Sequence, residues 1–300
     1  MTFFQAIIIG IIQGLTEFLP ISSTAHIRVV PELLGWSDPG AAFTAVIQWG
    51  TLLAALVYFR NDIANVTRAI WRETLAGRFS QSPESKLGWM IALGTIPIVV
   101  FGLAFKKQIE TSLRSLYVIS ASAIVLALVL LLAEQLVRWR ERWKYREKTF
   151  ADLGWWDTLA VGFAQAVALI PGASRSGVTI TGGLFVGMSR ETAARYSFLL
   201  SLPAVFGAGV LELYKERHEL LGSQSAAVNL IAATVISGIV GYATIAFLLA
   251  YLKRHTTYVF IVYRLLLGGL LLALLFSGRL QPLPTNSADD RPERSVAASE

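Results

Sequence analysis

The sequence predicts an all-α polytopic membrane protein with six transmembrane helices plus two re-entrant helical hairpins in an inverted-topology repeat. Three observations carry this. First, 54% of the 300 residues are hydrophobic and only 15% are charged, whereas a soluble domain carries about 25% charged residues. Second, the charges fall between the apolar runs rather than inside them, as membrane topology requires. Third, two apolar runs are interrupted by proline and hydroxyl residues. Abundant Leu, Ile, Val, Phe and Trp exclude disorder for most of the chain. The absence of Cys excludes a disulfide framework and any thiolate metal site. The net charge of +6 belongs to loops, so it points to a bilayer and to no nucleic acid.

Six segments are long enough to cross a hydrocarbon core of about 30 Å: 41–59, 87–105, 116–137, 192–213, 227–252 and 258–276. The run 3–30 is broken by Pro20, Ser22, Ser23, Thr24, His26 and Arg28. The run 155–188 is broken by Pro171-Gly172 and Ser174-Arg175-Ser176. The pieces flanking each break suit half-membrane helices. Residues 1–15 contain no Lys or Arg, and Glu17 follows, so they read as mature structure rather than a signal peptide. Loops 60–87, 138–153, 189–195 and 252–257 hold 15 Lys and Arg, against 8 on the opposite side. That asymmetry places the first set in the cytoplasm.

Each half of the chain is one broken run followed by three spans. Three is odd, so the second half is inverted. A single membrane domain over 1–277 divides into repeats of about 1–150 and 151–277. Gln13…Pro20-Ile21-Ser22-Ser23 parallels Gln165…Pro171-Gly172-Ala173-Ser174. Such repeats place binding sites near the midplane. Residues 278–300 are polar and lack aromatics, and read as a disordered tail.

The two breaks carry the chemistry. Gln13 and Glu17 share a helix face. A carboxylate at membrane depth is expensive unless it is paired or binds a cation. Ser22, Ser23 and Thr24 supply hydroxyls, although taken alone they also fit a helix cap. His26 can exchange a proton near neutral pH. In the second break, Ser174, Ser176 and the amides of a new half-helix form an anion cradle. Arg175 adds a planar fork matched to phosphate oxygens; a snorkelling arginine is the alternative, although an intervening loop would normally be longer and more charged. Thr179 fits either ligand support or a bond to its own helix backbone. An acid beside an anion site suggests a divalent cation bridging to phosphate. A site inside the bilayer implies that the phosphate or diphosphate carries a lipid tail. No GxxxxGK[ST] or HExxH motif is present.

The segments QGLTEFLPISSTAH and PGASRSGVT resemble the two signatures of the undecaprenyl-diphosphate phosphatases, the bacitracin-resistance family. The resemblance extends to about Gly278. It implies an enzyme of the bacterial cytoplasmic (inner) membrane, its site facing the outer side. The implied reaction converts undecaprenyl diphosphate to undecaprenyl phosphate plus phosphate, recycling the carrier lipid for cell-wall synthesis. It implies Mg2+ or Ca2+ as cofactor, with Glu17 as metal ligand or base. Ser23 is then the nucleophile and His26 its proton partner. Arg175, Ser174 and Ser176 hold the diphosphate, with Gln13, Ser22, Thr24 and Thr179 in support. Gln13 stands where the family often has Glu, and Ala25 where Gly is usual before the His. The expected partners are the polyprenyl diphosphate, the bilayer and a second copy of the chain. The rival reading is a polyprenyl-phosphate flippase or secondary transporter, because inverted repeats with broken helices also build transporters.

Overall fold

A computed structural model describes residues 1–220 and 223–282, with the side chains of 41, 110, 112 and 217–220 left aside. In the first half, α1 (Phe3–Phe18) and α2 (Ser23–Leu33) form a hairpin. They are followed by α3 (Ala41–Tyr58), α4 (Arg60–Leu75), α5 (Pro83–Ala104), the short α6 (Lys106–Glu110) and α7 (Leu116–Arg142). In the second half, α8 (Trp155–Val167) and α9 (Arg175–Phe185) form another hairpin. It is followed by α10 (Arg190–Leu220), α11 (Gln224–Leu252) and α12 (Tyr258–Phe276). The six expected spans are α3, α5, α7, α10, α11 and α12. No β-strand occurs among the described residues.

The hairpins end where the sequence dictates. Leu19 is extended, as a residue before proline must be, and that closes α1. Gly172, at φ 87°, takes a conformation that glycine adopts freely, and it turns the chain between α8 and α9. Ser22 (φ 76°) and Ser174 (φ 66°) sit in the left-handed region that non-glycine residues rarely adopt. Each then caps its helix: Ser22 Oγ accepts from the Ala25 amide and Ser174 Oγ from the Gly177 amide.

Helix pairing reveals how the halves are related. α1 runs alongside α11 in the same direction, Gly10 against Ala233 and Gly14 against Ser237 and Gly241. In the same way α8 runs alongside α5, Gly162 against Gly94, and Lys86 Nζ donates to the Leu153 carbonyl. α1 starts at the face that holds Asp38, Lys106, Arg114, Glu212 and Ser223, which together line a cavity of about 730 Å3 with Met1. α8 starts at the opposite face, where Lys148 pairs with Asp157. The hairpins therefore enter from opposite faces. Their tips meet inside, where Ser176 Oγ donates to the Leu19 carbonyl. α3 packs on α10, and α7 on α12.

Three details differ from the sequence reading. The capping serines and the buried glutamines Gln13 and Gln165 set the repeat offset at 152. Ser22 thus matches Ser174, and Ser23 matches Arg175; the paired prolines suggested an offset one residue shorter. Next, the loop after residue 59 begins with a helix, α4, bent 74° from α3. Its Val66 and Ile70 pack on Gly88 of α5, which holds an amphipathic segment too polar to span. Finally, residues 278–282, at the start of the expected tail, make contacts with the helices. Leu280 is buried with Val29, Leu116 and Leu275, and the Leu116 amide donates to the Pro282 carbonyl. Packing of one apolar residue thus fixes the segment that leads to Pro282. Residues 283–300, the rest of the expected tail, lie outside the described ones.

Candidate active site

Four side chains converge where the tips meet. Glu17, in the last turn of α1, is buried. Gln13 Nε2 donates to Glu17 Oε2 at 2.8 Å, and Ser23 Oγ donates to the same oxygen at 2.9 Å. Arg175 pairs with the other carboxylate oxygen. The i, i+4 spacing of α1 brings Gln13 to Glu17, and the break at Leu19–Ser22 folds Ser23 back onto it. Arg175 arrives from the other half of the chain. One carboxylate is thus shared by an amide, a hydroxyl and a guanidinium.

These groups open onto a cavity of about 600 Å3 lined by Glu17, Ser23, Thr24, Gln48 and Arg175. It runs between α5 and α10, past Ile98, Val99, Leu103, Val205 and Leu211, to Lys106 and Glu212. One end is polar and charged, the long wall is apolar, and the mouth lies on the face where α1 starts. That shape suits an anionic head on a hydrocarbon tail.

The other expected site residues fall into three groups. Ser22 and Ser174 line the cavity and also cap the half-helices, so the cap reading and the ligand reading meet in the same hydroxyls. Ser174 Oγ and Ser176 Oγ lie 3.3 Å apart. The geometry of α9 leaves the Arg175 and Ser176 amides without an intrahelical acceptor. Thr179 turns away. Its Oγ1 is 2.7 Å from the Arg175 carbonyl and 2.5 Å from Ser197 Oγ on α10, which ties the two helices. His26 does not meet Ser23. Its Nδ1 lies 2.7 Å from the Ser22 carbonyl and its Nε2 2.5 Å from the Tyr263 hydroxyl, and its ring stacks on Tyr263. The imidazole braces the backbone of the serine turn.

No group of three His, Cys, Asp or Glu that could hold a metal occurs among the described residues, so no all-protein cage is preformed there. A hard cation has two oxygen donors at this point: Glu17, and Gln13 Oε1, which is buried without a hydrogen-bond partner. Mg2+ commonly takes one or two protein oxygens and completes its shell with phosphate oxygens and water. The residues fit that mode.

Three participants escaped the sequence reading. Gln48 lies inside an apolar span with no motif around it. Tyr263 and Arg264 lie inside the last span, and an arginine at membrane depth is itself a functional signal.

The family model described as bacitracin resistance protein BacA matches residues 6–270. The undecaprenyl-diphosphatase of Chlorobium phaeobacteroides (strain BS1) is 60% identical over 94% of this chain and 100% of its own length. That of Chlorobium phaeovibrioides (strain DSM 265 / 1930) is 61% identical over the same shares. That of Chloroherpeton thalassium (strain ATCC 35110 / GB-78) is 60% identical over 94% of this chain and 99% of its own. With both signatures at one site and the match running almost end to end, the chain belongs to the BacA bacitracin-resistance family.

Proposed function

We propose that this chain is an undecaprenyl-diphosphate phosphatase. It removes the terminal phosphate of the diphosphate and returns the monophosphate carrier lipid to cell-wall synthesis. The observation that carries the reading is the shared carboxylate: Glu17 accepts the Ser23 hydroxyl and pairs with Arg175 at the head of an apolar cavity. The names of the relatives point to the same substrate.

The diphosphate lies with its head between the hairpin tips and its prenyl chain along α5 and α10. Arg175 transfers its fork from Glu17 to the phosphate oxygens, which leaves the carboxylate able to accept a proton. Ser23 Oγ attacks the terminal phosphorus, the P–O bond to the prenyl monophosphate breaks, and the serine proton passes through Glu17 to the leaving phosphate oxygen, which restores the carboxylate. Water, deprotonated by the same carboxylate, hydrolyses the phosphoserine and releases inorganic phosphate. Arg175 and the amides at the start of α9 neutralise charge on the transferring group. Glu17 and Gln13 Oε1 are the residues that would hold Mg2+ or Ca2+, which supplies Lewis-acid neutralisation of phosphate charge. The site draws every residue from one chain, so the reading does not depend on a second copy. Basic loops on the opposite face support placing the cavity mouth on the outer side of the cytoplasmic membrane.

The test is phosphate release from a C15 or C55 prenyl diphosphate by purified protein in detergent, with Mg2+ or Ca2+ and then with EDTA. Metal-dependent release, lost in Glu17→Ala and Ser23→Ala, is expected. Detergent removes any transmembrane gradient, so release there separates an enzyme from a transporter. Near-normal turnover by Ser23→Ala would eliminate the phosphoserine route and leave direct attack by water.

A further inference from the structure

Arg264 lies in the middle of α12, in the last span, and is 1% exposed. Its polar partners are three carbonyl oxygens and no carboxylate. Nε donates to Ala123 at 3.3 Å, and Nη2 to Ser122 and Gly172, each at 3.4 Å. These are long for N–H···O bonds, whose usual range is 2.7–3.2 Å. The third guanidinium nitrogen lies under the first turn of α9: a methyl group on Gly177 would come 2.6 Å from Nη1. The guanidinium therefore backs the turn that carries Ser174 and Arg175, and it is not part of the cavity wall.

A cation at this depth is unfavourable unless something compensates it. Three loose carbonyl bonds satisfy its donors only in part, and a neutral amide could make bonds of the same kind. The charge itself goes unanswered by any of its partners. Glu17 is the nearby carboxylate at the tips, and Arg175 pairs with it. One carboxylate thus stands with two guanidinium groups, Arg175 at the tips and Arg264 behind the first turn of α9. A multiply charged anion bound at the start of α9 would balance them.

We infer that Arg264 is a positioning residue for the anion site. From behind the Gly172–Gly177 turn, it holds the cradle in shape through the Gly172 carbonyl and supplies a fixed positive charge that favours a diphosphate over a less charged head. This rests on the phosphatase reading for its substrate but not for its test. Field from a buried charge in a low-dielectric region reaches the site without contact. The effect should grow with the charge on the ligand.

The experiment uses the full chain in detergent, with the substitutions Arg264→Met, Arg264→Gln and Arg264→Lys. Release of phosphate from a C15 prenyl diphosphate is measured beside inhibition by inorganic pyrophosphate and by inorganic phosphate. Thermal unfolding checks the fold. Arg264→Met is expected to lose on the order of 100-fold in kcat/KM, and more affinity for pyrophosphate than for phosphate. Arg264→Lys should recover at least about ten-fold of that loss and exceed Arg264→Gln. If the Met variant does not fold, the comparison of Lys with Gln decides. Equal losses for the two inhibitors, or Gln equal to Lys, would overturn the role of the charge. Wild-type activity in the Met variant would overturn the role altogether. If the wild type releases no phosphate, the phosphatase reading fails. Direct binding of pyrophosphate, weakened in Arg264→Met, would still uphold the anion site.

Discussion

Glu17 and Arg175 are each other's ion-pair partners, and a diphosphate competes with Glu17 for that guanidinium. The two charges are also 158 residues apart in sequence, so their meeting reports the docking of one hairpin on the other. Arg175→Lys keeps the charge but loses the fork. Losing a transition-state donor of this kind costs about 3–4 kcal/mol, or 10²–10³ in rate. We therefore expect kcat/KM for prenyl diphosphate to fall by that factor with the melting temperature nearly unchanged. A drop below ten-fold would show that a point charge suffices. Glu17, Ser23 and Arg175 were legible in the sequence because each is a polar residue where a membrane helix should be apolar. The true partners of His26 were not legible. Tyr263 is 237 positions away, and no local spacing announces a contact of that range. Thr179 shows the reverse case, since its bond to its own helix carbonyl is one of the two readings that its place one turn after Arg175 allows.

At the scale of elements, the spans were legible because about twenty apolar residues admit few other structures. α4 was not, because its apolar residues form a narrow stripe among Arg60, Asp62, Arg68, Arg72 and Glu73. The end of that helix carries its own electrostatic device. Glu73 accepts from the Ser82 hydroxyl at 2.5 Å and from the Gln81 and Ser82 amides at 2.8 and 2.9 Å, which joins α4 to the first turn of α5. The Ser82 hydroxyl, and then these amides, favour the charged form and hold its pKa at about 2, below the ordinary 4.5. A depressed folded-state pKa stabilises the fold above the unfolded value, and the gain fades as pH falls from about 4.5 toward 2. Glu73→Gln removes the titrating group. Its melting temperature in detergent should be lower than that of the wild type at pH 7, and the gap should narrow as pH drops below 4.5. A gap that stays constant with pH would show that the carboxylate charge contributes nothing to this joint.

The whole molecule couples an orientation to a chemistry. Both hairpins reach the same interior point from opposite faces, yet the cavity they share runs toward one face, past Lys106 and Glu212. The pseudo-two-fold arrangement is therefore broken by function. Glu17 of the first hairpin has Leu169 as its counterpart in the second, and Ser23 has Arg175. One half supplies a carboxylate and a hydroxyl, the other a guanidinium, and the hydroxyl and the guanidinium stand at equivalent positions on the one carboxylate. The face with the mouth is the face poorer in Lys and Arg, while Lys144 and its neighbours crowd the other. Under the proposed reading, the positive-inside rule predicts a mouth that faces outward. The absence of Cys makes this directly measurable with single cysteines. Thr111 is exposed near the mouth and Lys144 is exposed on the far face. In intact spheroplasts, a membrane-impermeant maleimide should label Thr111→Cys and spare Lys144→Cys, with both labelled after permeabilisation. The opposite pattern would turn the mouth to the cytoplasm. The enzyme would then draw its diphosphate from the inner leaflet, although the site chemistry would stand.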